Sequence, residues 1–265
     1  MPDWNPTRYL QFSRERELPC RDLISRIAHH PIHRITDLGC GPGNSTAVIR
    51  ETFPHAEITG IDSSPEMLAT AGKHLPEVAF INADIREWIP EHEIDLIFSN
   101  AALQWLPNHE QLFPHLISMI SPGGYLAVQM PYHDPNSPIS RLLETVRQSA
   151  PWSQYFHQPV RTWSVQRPAD YYNLLCGGCD QVDIWSTDYY HPLPDADAVI
   201  DWYSGTSLRP WMDSIPPGQQ RESFLDFCRE NIRTCYPLQA DGRILFSIRR
   251  LFLVGRRRRD RASRP

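Results

Sequence analysis

Asp37-Leu38-Gly39-Cys40-Gly41-Pro42-Gly43-Asn44 is a glycine loop with a carboxylate at its head. It follows a short apolar run and precedes a segment of helical period, the strand-to-helix turn at which open α/β sheets bind nucleotide cofactors. A dinucleotide fingerprint would place glycine at 39, 41 and 44, but position 44 is Asn, and Pro42 removes an amide donor that a pyrophosphate would use. Asp37, two residues before the first glycine, sits at the mouth of the strand, where a carboxylate repels phosphate and attracts a cation. The loop therefore suits S-adenosylmethionine, whose ammonium and sulfonium are both positive, better than NAD with its two phosphates. Gly39 and Gly41 let the backbone approach the amino-acid part closely, and Cys40 between them is counted with the same site.

Two further acids extend the pattern. Asp62 ends the next strand about 20 residues on, where an acidic side chain grips ribose hydroxyls in this architecture. Asp84, just past a third strand, is placed to accept from an adenine amino group, with the Ile85 backbone as a further contact. Ser63 and Met67, beyond Asp62, are counted with the same site, and Asn100, at the end of a fourth strand, faces the position of methyl transfer. Any one of these acids alone reads as a helix cap or turn former; three at successive strand ends are harder to dismiss.

Alternation of β-branched runs with helix-period segments predicts the elements that hold them. Strands are expected at Arg34 to Leu38, Glu57 to Asp62, Val78 to Asn82, Ile94 to Ser99 and Gly124 to Met130, with helices at Asn44 to Phe53, Pro65 to His74 and Asn108 to Ile120. Ser64 caps the second of these helices and Pro65 takes its first position. Pro131 to Arg167 reads as an irregular insertion around a helix at Ile139 to Gln148. A helix at Ala169 to Leu175, a strand at Val182 to Tyr190, helices at Asp195 to Ser204 and Gly218 to Thr234, and a last strand from Ile244 to Val254 follow. The fold class is α/β: a Rossmann-like doubly wound seven-stranded sheet with a helical lid insertion. The chain is read as one domain, with residues 1–32 an N-terminal helical flap, 33–131 the cofactor-binding core, and 132–265 insertions, lid and the last strands of the same sheet.

At 265 residues, 41% hydrophobic and 22% charged, the chain supports one well-buried core and shows no sign of disorder. No apolar run approaches the roughly 18 to 20 residues that cross a bilayer, and no basic-then-apolar leader opens the sequence, so a soluble cytoplasmic protein is expected. Six scattered cysteines agree with a reducing compartment. A formal net charge of -5 argues against a general nucleic-acid binder, and the arginine-rich end, Arg256 to Arg261, reads as a solvated basic tail. His29-His30-Pro31-Ile32-His33 lacks a carboxylate or cysteine at useful spacing, and Cys176-Gly177-Gly178-Cys179 lacks the second pair of a structural zinc site. The first reads as a linker, the second as a tight turn entering a strand; no metal is expected.

Beyond the loop, the sequence resembles the trans-aconitate 2-methyltransferase family of class I S-adenosylmethionine-dependent methyltransferases. The likeness is carried by Asp3-Trp4-Asn5-Pro6, Gly60-Ile61-Asp62-Ser63-Ser64-Pro65, Asn100-Ala101-Ala102-Leu103-Gln104-Trp105-Leu106-Pro107, Leu126-Ala127-Val128-Gln129-Met130-Pro131, Tyr189-Tyr190-His191 and Leu208-Arg209-Pro210-Trp211. It implies methyl transfer to one carboxylate of trans-aconitate, giving a monomethyl ester, without obligate protein, nucleic-acid or membrane partners. It departs in the insertion after Pro131 and in the arginine-rich end.

A carboxylate is already ionised near neutral pH, its reference pKa being about 4, so no general base is required and none is evident. The catalytic task is positioning. A polycarboxylate acceptor asks for fixed donors, and Arg209, in the lid, is the first choice because guanidinium matches carboxylate with two parallel bonds. Tyr190 and His191, leaving the sixth strand with Tyr189, add candidate donors. Trp4, Tyr9, Gln104 and Trp105 are placed to cover cofactor and acceptor. Alternatives are a carboxylate methyltransferase for another small acid or for malonyl carrier protein, an RNA methyltransferase using the arginine tail, and a protein that binds S-adenosylmethionine without turnover.

Overall fold

The computed structural model describes residues 13–132, 137–156, 160, 163–204 and 207–259. Its elements in chain order begin with α1 (Ser13–Ser25), β1 (Arg34–Leu38), α2 (Asn44–Thr52), β2 (Glu57–Asp62), α3 (Pro65–His74), β3 (Ala79–Asn82) and β4 (Ile94–Asn100). A 3₁₀ turn (Leu103–Trp105), α4 (His109–Ser118), β5 (Ile120–Pro131), α5 (Pro138–Gln148), α6 (Pro168–Cys176) and β6 (Cys179–Leu193) follow, then α7 (Ala196–Ser204), α8 (Arg209–Asp213), α9 (Gln219–Cys235) and β7 (Ile244–Arg257). The strands form one seven-stranded sheet in the order β3-β2-β1-β4-β5-β7-β6. β3 through β5 run parallel, and β7 is antiparallel to β5. The expected α/β sheet is thus present, and the strand order reverses between β1 and β4, the switch point outside which such sheets bind ligands.

Why these segments adopt these forms is visible locally. β4 is buried along most of its length, as a central parallel strand covered on both faces must be. α3 starts where Ser64 Oγ accepts from the Met67 amide and Pro65 fills the first turn, and it ends on Lys73 and His74, which oppose the negative end of the helix dipole. The Asp95 carboxylate accepts from the His33 and Arg34 amides and fixes the start of β1 against β4.

By contacts the chain divides into two compact units, the first comprising Ser13–Pro131, Ser164–Thr187 and 250–259, the second Tyr132–Trp163 and Asp188–Arg249. The second has an aromatic core of its own. In it Trp152 meets Phe224 edge-on at 5.6 Å and Trp202 meets Phe246 at 5.4 Å. α5 presents Ile139, Leu142, Leu143 and Val146 to that core, the spacing of one helical face.

Two expectations need correction. β5, β6 and β7 are longer than expected: β5 starts at Ile120 rather than Gly124 and takes in Pro122-Gly123-Gly124 through a register shift, Ile94 pairing with Ile120 and Leu96 with Tyr125. The arginine-rich end is not simply a solvated tail. Arg256 and Arg257 belong to β7, Arg256 pairs with Asp180 at 2.8 Å, and Arg257 donates to the carbonyls of Ser118 and Ile120 at the end of α4, where a cation meets the negative pole of the helix. Cys179 does open a strand, after a turn through Gly177 and Gly178. Among the described residues no helix is long and apolar enough to cross a membrane, and no cluster of His, Cys, Asp or Glu is arranged for a metal ion.

Candidate active site

The glycine loop leaves β1 and is bolted to β2, because the Gly39 and Cys40 amides both donate to the Ile61 carbonyl, at 2.8 and 3.1 Å. Gly39 and Gly41 have φ of 71° and 54°, the left-handed region that side chains disfavour. At Gly39 the need is doubled, since a Cβ there would lie 2.2 Å from the Ala102 Cβ. At Gly41 a Cβ would meet nothing within 4 Å among the described residues. Asp62 tightens the loop from the other side, one carboxylate oxygen accepting from the Gly41 amide at 3.0 Å and the other from the Ser64 amide at 2.9 Å. Cys40 is buried, and burial pushes its thiol far up, which makes it inert packing against Gly60.

Asp37 does not stand at an open mouth. It is 0% exposed, and one carboxylate oxygen accepts from Ser45 Oγ and Thr46 Oγ1, both at 2.7 Å, at the first turn of α2. The other oxygen is buried without a hydrogen bond among the described residues. Burial pushes the carboxyl up to about 6, against the pull of the two hydroxyls. Because the folded value exceeds the unfolded one, the stabilisation relative to an ordinary aspartate is complete below about pH 4 and is lost as pH rises through about 6, a change of roughly 3 kcal/mol. Asp37→Asn, which keeps an acceptor for the hydroxyls, should flatten this pH dependence in thermal melts between pH 4 and 7; an unchanged slope would show that another group carries it.

Asp84 is held below the usual carboxylate range by Arg86, whose guanidinium bonds both its oxygens, with Nε at 2.9 and 3.1 Å, and whose backbone amide adds a bond at 2.9 Å. Its carboxylate is thus already engaged. Ile85 is buried, and its Cδ1 would lie 3.8 Å from a Cβ on Gly39, so the third strand's loop and the glycine loop meet there. Ser63 is exposed and Met67 buried at the start of α3.

The end of β4 supplies the other wall. Asn100 Oδ1 is buried and unbonded among the described residues. The chain then turns through Ala101 at φ 56°, unusual for a non-glycine residue, and is held there because the Ala101 amide donates to the Gln129 carbonyl at 2.9 Å and its carbonyl accepts from Gln104 Nε2 at 2.8 Å. His109, buried between Tyr171 Oη at 2.6 Å and the Leu103 carbonyl at 3.0 Å, braces the 3₁₀ turn that carries Gln104 and Trp105. Gln104 Oε1 is also buried and unbonded, as are both amide atoms of Gln129 on β5. Gln129 and His109 were not singled out from the sequence; the signal for the first is a carboxamide inside the apolar run Leu126 to Met130.

The proposed acceptor residues fare differently. Tyr190 and His191 lie inside β6 rather than leaving it, on opposite faces: Tyr190 is 60% exposed and His191 4%, stacked on Trp202 at 5.2 Å. Strand alternation therefore prevents both side chains from lining one crevice. Arg209 opens α8 in the second unit, with Nε 3.8 Å from Asp213. Trp4 and Tyr9 lie outside the described residues. A separate cavity of about 370 Å³ at the opposite strand ends is lined by Arg26, His29, His30, Tyr125 and Asp183 among others.

Residues 35–124 match the model of the Methyltransferase domain family. The chain is 45% identical over 259 residues to trans-aconitate 2-methyltransferases of Escherichia coli O157:H7 (strain EC4115) and Shigella flexneri, covering 97% of this chain and 99% of each relative. Among solved structures, a YcgJ protein from Bacillus subtilis superposes with a TM-score of 0.59 at 16% identity, covering 91% of this chain and 99% of that one. A putative sarcosine dimethylglycine methyltransferase from Galdieria sulphuraria gives 0.56 at 15% identity, covering 92% and 88%. At such identities these two share the fold.

Proposed function

Because this chain belongs to the trans-aconitate 2-methyltransferase family, we propose that it transfers the methyl group of S-adenosylmethionine to one carboxylate oxygen of trans-aconitate, with the donor held at the C-terminal ends of β1 to β4. The acceptor follows from the relationship, which runs through both compact units. The observation that carries the donor site is a set of buried oxygens on β1, at the end of β4 and on the turn after it that have no hydrogen-bond donor among the described residues: Asp37 Oδ1, Asn100 Oδ1 and Gln104 Oε1. Buried acceptors are rarely left unmatched, and a crevice rich in them is complementary to a cation.

When bound, S-adenosylmethionine supplies an electrophilic methyl group on a sulfonium, delivered in line to oxygen while the bonding pair stays on sulfur. The chain's own groups bind and aim. Asp62, already oriented by the Gly41 and Ser64 amides, takes the ribose hydroxyls. Gly39 to Gly41 offer the amino-acid part a backbone without side-chain obstruction, and the Asp37 carboxylate behind them favours positive charge. Ile85, buried beside the glycine loop, would hold the adenine, and Ser63 and Met67, at the start of α3, would hold the ribose side. Asp84, engaged by Arg86, shapes its loop and accepts from adenine only by sharing that pair. Since the acceptor oxygen is ionised without help, the work is orientation and exclusion of water, for which effective molarity supplies roughly 7 kcal/mol or more.

The purified chain with S-adenosylmethionine should form a monomethyl ester of trans-aconitate, identified by mass spectrometry, in preference to products of cis-aconitate, citrate, isocitrate or malonyl carrier protein. Absence of an ester from either aconitate would overturn the acceptor assignment.

A further inference from the structure

Gln129, near the C-terminal end of β5, is a deeply enclosed polar group that the proposed function leaves unused. It is 1% exposed, and neither Nε2 nor Oε1 forms a hydrogen bond among the described residues. Its register partners are Asn100 on β4 and Phe252 on β7, so the carboxamide emerges on the sheet face shared with Asn100. Its own backbone carbonyl holds the Ala101 amide, and the Ala101 carbonyl holds Gln104 Nε2. The Gln129 backbone is therefore tied to the segment that carries Asn100 and Gln104, whose side-chain oxygens are also unmatched among the described residues. An unmatched buried amide opposes folding, and a chain that keeps one there for structure alone gains nothing by it.

Resting on the proposed function, we infer that Gln129 is a substrate-contacting specificity residue, its Nε2 donating to the acceptor carboxylate that receives the methyl group. The choice of amide over guanidinium has a physical reason. That carboxylate loses its negative charge as its oxygen bonds the methyl carbon and the carbon–sulfur pair departs with sulfur, so a donor that holds the anion strongly stabilises the reactant more than the transition state. A neutral amide orients the oxygen with a weaker hold on the ground state than an arginine would impose.

Gln129→Met keeps the volume and removes both unmatched groups. It should raise KM for trans-aconitate about thirtyfold, the worth of one hydrogen bond to a charged group, while kcat changes less than about threefold. Its calorimetric Kd for S-adenosylhomocysteine should be unchanged, and its melting temperature in the absence of ligands unchanged or higher. A purely structural Gln129 would instead lower the melting temperature, and a donor-site Gln129 would weaken S-adenosylhomocysteine; either result, or an unaltered KM, overturns the inference. Gln129→Glu, which sets an anion against the carboxylate, should raise KM further. In the same assay, a wild-type chain that makes no aconitate ester overturns the functional reading and this inference with it, whereas ester formation with an unaltered variant overturns the inference alone.

Discussion

Gly39→Ala should lower the melting temperature by about 10 °C and abolish measurable S-adenosylmethionine binding. Two costs fall on the same atom. The left-handed backbone at φ 71° costs an alanine roughly 1–2 kcal/mol. Its Cβ would also lie 2.2 Å from that of Ala102, and relieving such overlap in packed surroundings costs roughly 1–3 kcal/mol more. Relief is not local, because Ala102 follows Ala101, whose two peptide hydrogen bonds tie it to Gln129 and Gln104. Pushing the loop away thus displaces the wall that carries Asn100. Gly41→Ala is the control: its Cβ would meet nothing among the described residues, so only the backbone cost should apply to stability. Thermal melts and calorimetry of both variants check this; a Gly39→Ala protein as stable as the parent would show that the Gly39–Ala102 contact does not shape the loop.

Asp62→Ala should weaken S-adenosylmethionine binding about a hundredfold, the scale of two hydrogen bonds to a charged group at roughly 1.5 kcal/mol each. The carboxylate has two duties. It arranges the Gly41 and Ser64 amides, which fixes the loop and the start of α3, and it presents charge to the ribose. Asp62→Asn retains an acceptor for one amide but not both, and should fall between the parent and the alanine variant. The half-exposed carboxylate pays little desolvation, so the melting temperature should move by only a few degrees. Unchanged affinity in the alanine variant would place the ribose elsewhere.

Much of this site is legible in the sequence because its signals are local. β1 and β2 run between the residues expected, and α3 spans Pro65–His74 as the Ser64-Pro65 start predicts. A capping serine, a proline at the first helical position and a buried β-branched run each act within a few residues. What was missed depends on pairing across the chain. The extension of β7 into Arg256 and Arg257 is bought by partners on α4, β5 and β6, which no window around residue 256 contains. The separate faces of Tyr190 and His191 follow from β6 continuing to Leu193, where composition suggested an exit from the sheet. Asp37 looked like an open carboxylate because its distance from the loop is short, but Ser45 and Thr46 enclose it from the following helix. Gln129 gives the same lesson in reverse, since only the folded ladder with Asn100 reveals a buried carboxamide with no hydrogen bond among the described residues.

The most direct test is calorimetric titration of the purified chain with S-adenosylmethionine at pH 7 and pH 5, a range over which the donor's own amine stays mostly protonated. A crevice that answers positive charge with the Asp37 carboxylate, whose free-state pKa is about 6, should bind one donor per chain at pH 7 and about tenfold more weakly at pH 5, where that carboxyl must first lose its proton. No saturable heat at pH 7 would contradict the account at its root.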